Sequence, residues 1–354
     1  MKLFNYLLIA MILISSCQDD EVDTVFDNNY GSGMYIVTDM GISFYNDTDS
    51  LPQVENQIFK TVNNITINNP KKIKFKGTKV YIVADNYIST ANVKTFENKG
   101  DINGFSNPVD LDYVSHDRLF VVDKGDSKVK VVDMTSLDIT AQIETGDNTQ
   151  PVFIISKWWR SIVMNGGLVA DSLKDSTIVA IDYRDNLIPL VNFMGNLEIG
   201  DNPNSAVWNG HIKVLCKGIY DPNNPAGNTE SSLYNIEPWG FEVYWDKTLN
   251  GIYNARNLIE SPSSSRFYFL AEGGVYWMPQ DASYTEQIFN IESDVLLRRN
   301  EWYAINDSTD ALSDMLYVND AVSANNIIYK YNLATSAFCD TIIVDANVRD
   351  INFY

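Results

Sequence analysis

Asn107-Pro108-Val109-Asp110-Leu111-Asp112-Tyr113-Val114 begins the stretch that decides the fold. A polar turn, Ser115-His116-Asp117, leads to Leu119-Phe120-Val121-Val122-Asp123. Lys124-Gly125-Asp126-Ser127 then leads to Val129-Lys130-Val131-Val132-Asp133. Met134-Thr135-Ser136-Leu137-Asp138 precedes Ile139-Thr140-Ala141-Gln142-Ile143-Glu144. Four short runs rich in Val, Ile and aromatics, each bounded by turn residues, read as four strands within about 40 residues. One sheet this small cannot bury both of its faces. It needs copies of itself to pack against.

The copies are present. Asn69-Pro70 opens one with Ile73-Lys74-Phe75 and Val80-Tyr81-Ile82-Val83. Gln150-Pro151 opens another with Phe153-Ile154-Ile155 and Ser161-Ile162-Val163-Met164. Asn202-Pro203 opens Ser205-Ala206-Val207-Trp208 and Ile212-Lys213-Val214-Leu215-Cys216, and Asn254-Ala255 opens Leu258-Ile259-Glu260 and Phe267-Tyr268-Phe269-Leu270. The anchors fall roughly 40 to 50 residues apart. A further copy takes Trp302-Tyr303-Ala304-Ile305 and Met315-Leu316-Tyr317-Val318 as its first two strands, with residues 296–300 blurring its anchor. Residues 327–331 and 338–344 supply its last two.

The two ends complement each other. Asn347-Val348-Arg349-Asp350-Ile351-Asn352-Phe353-Tyr354 supplies an anchor and an inner strand and then stops. Met34-Tyr35-Ile36-Val37, Ile42-Ser43-Phe44-Tyr45 and Gln57-Ile58-Phe59-Lys60 supply a second, third and fourth strand with no first. The expected architecture is all-β: a seven-bladed β-propeller over residues 31–354, closed by pairing the C-terminal strand with the N-terminal part-blade. Closed radial repetition leaves only short edges exposed. No amphipathic helix of useful length is expected after residue 17.

Residues 1–16 read as a lipoprotein signal peptide. Lys2 is a minimal positive region, and an apolar run too short to span a bilayer follows. Ile14-Ser15-Ser16-Cys17 resembles a bacterial lipobox, which implies lipidation of Cys17. Residues 17–30 form an acidic, flexible tether. Its start, Gln18-Asp19-Asp20-Glu21, resembles the surface-export signal of Bacteroidota lipoproteins. The localisation expected from these residues is the cell outer membrane, lipid-anchored and facing the exterior. With 26 Lys and Arg against 46 Asp and Glu the net charge is −20. That excludes direct binding to a nucleic-acid backbone. Three cysteines, with no CxxC pair, leave Cys216 and Cys339 once Cys17 is lipidated, either as two buried free thiols, the favoured reading, or as a disulfide between different repeats.

In a propeller the connections between strands two and three share one face, here called upper, with the connections between blades. Those loops are short in most copies. They are enlarged at residues 165–175 and 217–232, and moderately at 319–326. Loops on a rigid scaffold carry function. The candidate ligand-binding residues are Tyr87, Asn165, Tyr220, Asp221, Asn223 and Asn224. Trp158-Trp159 falls in a first turn on the opposite face, where packing is expected. The two histidines, His116 and His211, show no metal-ligand spacing, and no hydrolase, zinc or nucleotide motif occurs. No cofactor, no metal and no catalytic residue is assigned. Carboxylates at loop edges, such as Asp123 with Asp126 or Asp201 beside Asn202, have the oxygen ligands that calcium prefers, although strand ends and turns explain them.

Leu119 to Asp133, LFVVDKGDSKVKVVD, resembles the repeats of the YncE-like, YVTN-type seven-bladed propellers. Joined to Cys17-Gln18-Asp19-Asp20-Glu21, the chain resembles surface lipoprotein propellers of Bacteroidota. One branch of these, the BtuG type, captures cobalamin beside a TonB-dependent outer-membrane transporter. The resemblance implies a non-enzymatic binder that holds a small-molecule ligand, such as a corrinoid, for such a transporter. Two alternatives stand beside it: a propeller hydrolase or lyase with a metal site in the central funnel, and a protein-interaction module using the Trp158-Trp159 face.

Overall fold

The computed structural model describes residues 30–354, except 47–51, 115–116, 147, 168–174, 184–191, 262, 264, 307–308 and 324–325. The expected signal peptide, Cys17 and all of the expected tether but Tyr30 lie outside the described residues, as does His116.

The described residues form seven four-stranded antiparallel sheets. Blade three is the stretch quoted first: Pro108–Val114, Arg118–Asp123, Lys128–Asp133 and Ile139–Glu144, in that order from inner to outer. Blades two, four, five, six and seven repeat the order, with inner strands Lys72–Lys76, Phe153–Lys157, Pro203–Asn209, Arg256–Glu260 and Leu296–Asn306. Blade one is shared between the ends of the chain. Val348–Phe353 pairs with Met34–Thr38, which continues to Gly41–Tyr45 and Val54–Glu55. Each inner strand contacts the next around the ring, and the last, Leu296–Asn306, returns to Val348–Phe353. The architecture is the expected propeller.

Both faces of each sheet are buried against neighbours. Seven apolar clusters fill the seven gaps between blades. Phe120 and Val122 pack towards Val163 and Val179 of blade four, while Leu119 and Val121 pack back towards Tyr81 and Val83 of blade two. Second strands are accordingly buried along their length, and the outer strand of blade three alternates. Six blades share a register shift between third and fourth strands, at Thr90/Ala91, Val131/Val132, Ala180/Ile181, Asn235/Ile236, Val275/Tyr276 and Lys330/Tyr331. A bulge at this point adds the local twist the outermost strand needs.

Inner strands have one unpaired edge facing the channel, and side chains from the preceding blade cap it. Ile73 N–H donates to Asp350 Oδ2 (3.0 Å), Ile154 N–H to Asp110 Oδ2 (3.1 Å), Ser156 N–H to Asp112 Oδ2 (2.6 Å) and Leu258 N–H to Ser205 Oγ (3.1 Å). Backbone donors so placed require partners.

Two local expectations are corrected. Gln57-Ile58-Phe59-Lys60 is not a fourth strand. Ile58–Asn63 is a short helix, and the fourth strand is Val54–Glu55. Ile58, Phe59 and Val62 lie on one helical face and pack on the cluster between blades one and two, whereas a strand would turn one of the adjacent pair outwards. In blade seven the first strand starts at Leu296, so residues 296–300 are strand and not anchor. The anchor is Ser293-Asp294, clasped by Asn319 Oδ1, which accepts from Ser293 Oγ (2.8 Å), Asp294 N–H (3.0 Å) and Val295 N–H (2.8 Å). Cys216 is a buried free thiol and Cys339 a half-buried one.

Candidate functional site

The upper mouth of the channel gathers cations in a chain whose net charge is −20. Lys71 and Arg349 follow the anchors of blades two and one. Arg256 begins the inner strand of blade six. Lys124 and Lys217 follow the second strands of blades three and five. Neighbouring anchors pin three of them. Lys71 Nζ donates to Asn107 Oδ1 (2.6 Å), Pro108 O (3.0 Å) and Asp85 O (3.1 Å). Arg349 donates to Asn69 Oδ1 and Pro70 O. Arg256 donates to Asn254 O (3.0 Å) and Ser293 O and stands 3.8 Å from Asp294.

The charges lie close enough to repel. Lys71 is held below the ordinary lysine range by burial, reinforced by Arg349 and Lys124. Burial lowers Lys217 as well, reinforced by Arg256 and Lys124. Lys124 is lowered by burial alone. Lys217 is exposed by surface area, so burial acts on it only through the protein packed around its stem. Among the described residues neither Lys124 nor Lys217 forms an ion pair. Lys124 runs instead towards blade four, where its Cε lies 2.9 Å from where a Cβ on Gly167 would stand.

The enlarged loop of blade five is folded structure on the same face, bonded to the connections on either side of its blade. Ile219 pairs with Thr229, Pro225–Gly227 forms a single 3-10 turn, and Thr229 Oγ1 donates to Asp201 Oδ2 (2.8 Å). Gly218 lies against Thr229 O, which would stand 2.3 Å from a Cβ there, and its φ is +73°. Only glycine allows that approach.

The structure divides the candidate ligand-binding residues. Tyr220 is exposed, with its ring 5.7 Å from that of Tyr253. Asp221 shapes the loop: its Oδ1 accepts from Asn223 N–H (2.8 Å) and its N–H donates to Asn228 Oδ1 (2.7 Å). Asn223 and Asn224 are exposed on the loop tip. Tyr87 and Asn165 serve as clasps. Tyr87 Oη accepts from Asn68 N–H (3.1 Å). Asn165 is fully buried and donates to Thr145 O and Thr177 Oγ1, both at 3.0 Å. The rest of the 165–175 loop, residues 168–174, lies outside the described residues. The mouth cations are single residues far apart in sequence, and only aligning blade against blade brings them together.

Deeper in the channel, acidic groups are engaged. Asp110 Oδ1 lies 3.0 Å from Lys72 Nζ and 3.3 Å from Lys74 Nζ. Burial pushes its carboxyl up, but the two lysines outweigh that and hold it below the usual range. Asp350, near both Lys72 and Asp110, is pushed up to about 6 by burial. Back at the upper face, in the blade-three loop, Asp123 and Asp126 hold a lysine: Lys130 Nζ sits 2.7 Å from Asp123 Oδ2 and 2.8 Å from Asp126 Oδ2, where calcium would have to sit. Among the described residues no group of three or more His, Cys, Asp or Glu side chains converges as metal ligands would.

On the lower face Trp158 and Trp159 are 54% and 52% exposed, so the expected packing is partial. Trp158 meets Trp208 edge to face, and Lys157 covers its ring. Buried Arg160 donates to Pro238 O and stands against the ring of exposed Trp239.

No known family model and no curated protein matches the chain. Solved structures do. A putative 6-phosphogluconolactonase from Bacteroides fragilis aligns over 93% of this chain and 98% of its own, with 12% identity and a TM-score of 0.62. A quinonprotein alcohol dehydrogenase-like protein from Bacteroides thetaiotaomicron aligns over 92% and 79%, with 14% identity and a TM-score of 0.62. A functionally unknown protein from Desulfotomaculum acetoxidans aligns over 91% and 99%, with 12% identity and a TM-score of 0.63. The chain shares their fold. At such low identity the likeness extends no further.

Proposed function

We propose that this protein is a non-enzymatic binding module that takes a polar small molecule with an anionic group at the upper mouth. The observation that carries this reading is the convergence of Lys71, Lys124, Lys217, Arg256 and Arg349 on the face that carries the folded loop 217–232. Among the described residues only Arg256 of the five forms an ion pair, and Lys124 and Lys217 are the two without a side-chain hydrogen bond. The pinned cations are pre-organised, which lowers the cost of ordering on binding. Tyr220 and Tyr253 offer an aromatic surface at the rim.

The finer reading is a corrinoid, presented to a TonB-dependent outer-membrane transporter by a protein held through lipid on Cys17. A corrinoid combines a broad ring edged with amides and a phosphodiester, which suits aromatic rim and cationic mouth together. Titration calorimetry with cyanocobalamin tests it. Binding should weaken about tenfold or more in Lys217→Glu and in Tyr220→Ala, each removing more than about 1.4 kcal/mol. Absence of heat with the wild type overturns the corrinoid, and unchanged affinity in Lys217→Glu moves the ligand away from the mouth. Loss of membrane association in Cys17→Ser tests the anchor.

A further inference from the structure

Lys213 lies on the second strand of blade five, His211–Cys216, facing blade six. Ile212, Val214 and Cys216 pack back towards blade four, and Leu215, on the same side as Lys213, packs forwards. Blade-to-blade register is set by the pairs Asp123 with Pro108 and Cys216 with Pro203. In that register the positions matching Lys213 in blades two, three, four and six are Tyr81, Phe120, Ile162 and Tyr268. All four are buried wedges against the following blade. Blade five places a lysine where the others place a ring or a branched chain, and it leaves a space beside it.

That space is an open groove of about 460 Å³ on the lower side between blades five and six. It is lined by Lys213, Asn235, Trp245, Ser265, Pro279 and Gln280, with Asp281 at the rim. Lys213 is only 3% exposed. Its Nζ donates to Asn235 Oδ1 (3.0 Å) and stands 5.8 Å from the centre of the Trp245 ring. An ammonium carries three donors, and Asn235 occupies one. No carboxylate among the described residues comes within ion-pair distance, and Glu260 attracts it only from farther away. The rim carboxylate of Asp281 is tied to its own turn, accepting from Ser283 N–H (3.2 Å) and Oγ (2.8 Å). A buried charge without its hydrogen bonds is costly. A position that four other blades fill with apolar bulk would avoid that cost.

We propose that this cleft binds a small molecule carrying a carboxylate on a flat apolar body. The carboxylate accepts from Lys213 Nζ, and the body lies against Trp245 and Pro279. The cleft has the size of sites for small ligands. It lies on the opposite side of the ring from the mouth, so it stands or falls separately from the proposed function.

Fluorine NMR of 4-fluorobenzoate with the full chain tests the assignment. The wild type should broaden and shift the probe signal. Lys213→Met should weaken this at least tenfold while keeping a cooperative melt, because it restores an apolar wedge. Asn235→Asp should weaken it comparably while keeping the lysine, because it supplies an internal carboxylate. Lys217→Glu at the mouth should leave it unchanged. No perturbation of the probe by the wild type, or equal perturbation by Lys213→Met, overturns the proposal.

Discussion

Blades three and five each bury a lysine to the same extent, 3% exposed, with opposite surroundings. Lys130 in blade three meets Asp123, Asp126 and Gly104 O at 2.7, 2.8 and 2.8 Å, so each of its protons has an acceptor. Burial alone would lower it, but the two carboxylates outweigh burial and raise it above the ordinary lysine range. Lys213 in blade five has one amide oxygen and is lowered by burial. The difference teaches how to separate a structural charge from a functional one in a repeat protein. Blade three closes its polar groups upon themselves, as its short loops require. Blade five leaves donors unfilled at the cleft, carries the largest folded loop, and places Lys217 over the mouth.

The sharpest way to break the contrast is to remove each lysine. Lys130→Met leaves Asp123 buried without its counter-ion, and the unfolding free energy from urea denaturation should fall by about 3–5 kcal/mol. Asp350 probes a carboxyl lacking full compensation. Its folded value of about 6 lies above that of the unfolded chain, so the native state holds a proton the unfolded chain has lost. Stability from this group is therefore full below about pH 4 and is lost as pH rises through 6, by about 3 kcal/mol. Asp350→Asn keeps an acceptor for Ile73 N–H and should flatten that part of a pH-dependent denaturation series. The first turns of the neighbouring blades extend the comparison. Blade five turns at Gly210, at φ of 66°, between the paired Asn209 and His211. Blade four turns on Trp158 and Trp159 at φ of 49° and 75°. Such a turn favours Asn-Gly, and the Trp158→Asn, Trp159→Gly double variant should gain about 1–2 kcal/mol in thermal unfolding. Lys213→Met should change stability least, from nothing to a gain of about 1 kcal/mol. A loss as large as that of Lys130→Met would erase the distinction between the two lysines.

The ring was legible because turn residues, apolar runs and Asn-Pro anchors recur with one period, and because the two ends complete one blade. Local exceptions were hidden where that pattern is ambiguous. Ile58-Phe59 is an adjacent apolar pair that suits a helix face, and Leu296-Leu297 continues a strand where an anchor was expected. The site was less legible. Loop enlargement pointed to residues 217–232, but Asn165 faces inwards because strand ends need clasps as much as ligands need amides. Lys213 passes as an ordinary strand lysine until its matches Tyr81, Phe120, Ile162 and Tyr268 are set beside it. The signal lies in register, not in composition.

Ring closure also carries a kinetic consequence. Asn347 Nδ2 reaches Asp39 Oδ2 at 2.9 Å across 308 positions of sequence, beside the pairing of Met34–Thr38 with Val348–Phe353. Blades two to seven form from local hairpins, whereas blade one waits for the most distant contact in the molecule. Contacts of such separation form slowly, after the entropy of closing the loop has been met. Until then Met34–Thr38 lacks one strand partner, and the clusters on either side of blade one lack a wall. Folding should therefore end with a slow phase that Val348–Phe353 controls. A substitution such as Ile351→Pro would leave an open ring whose exposed strand edge invites a second chain.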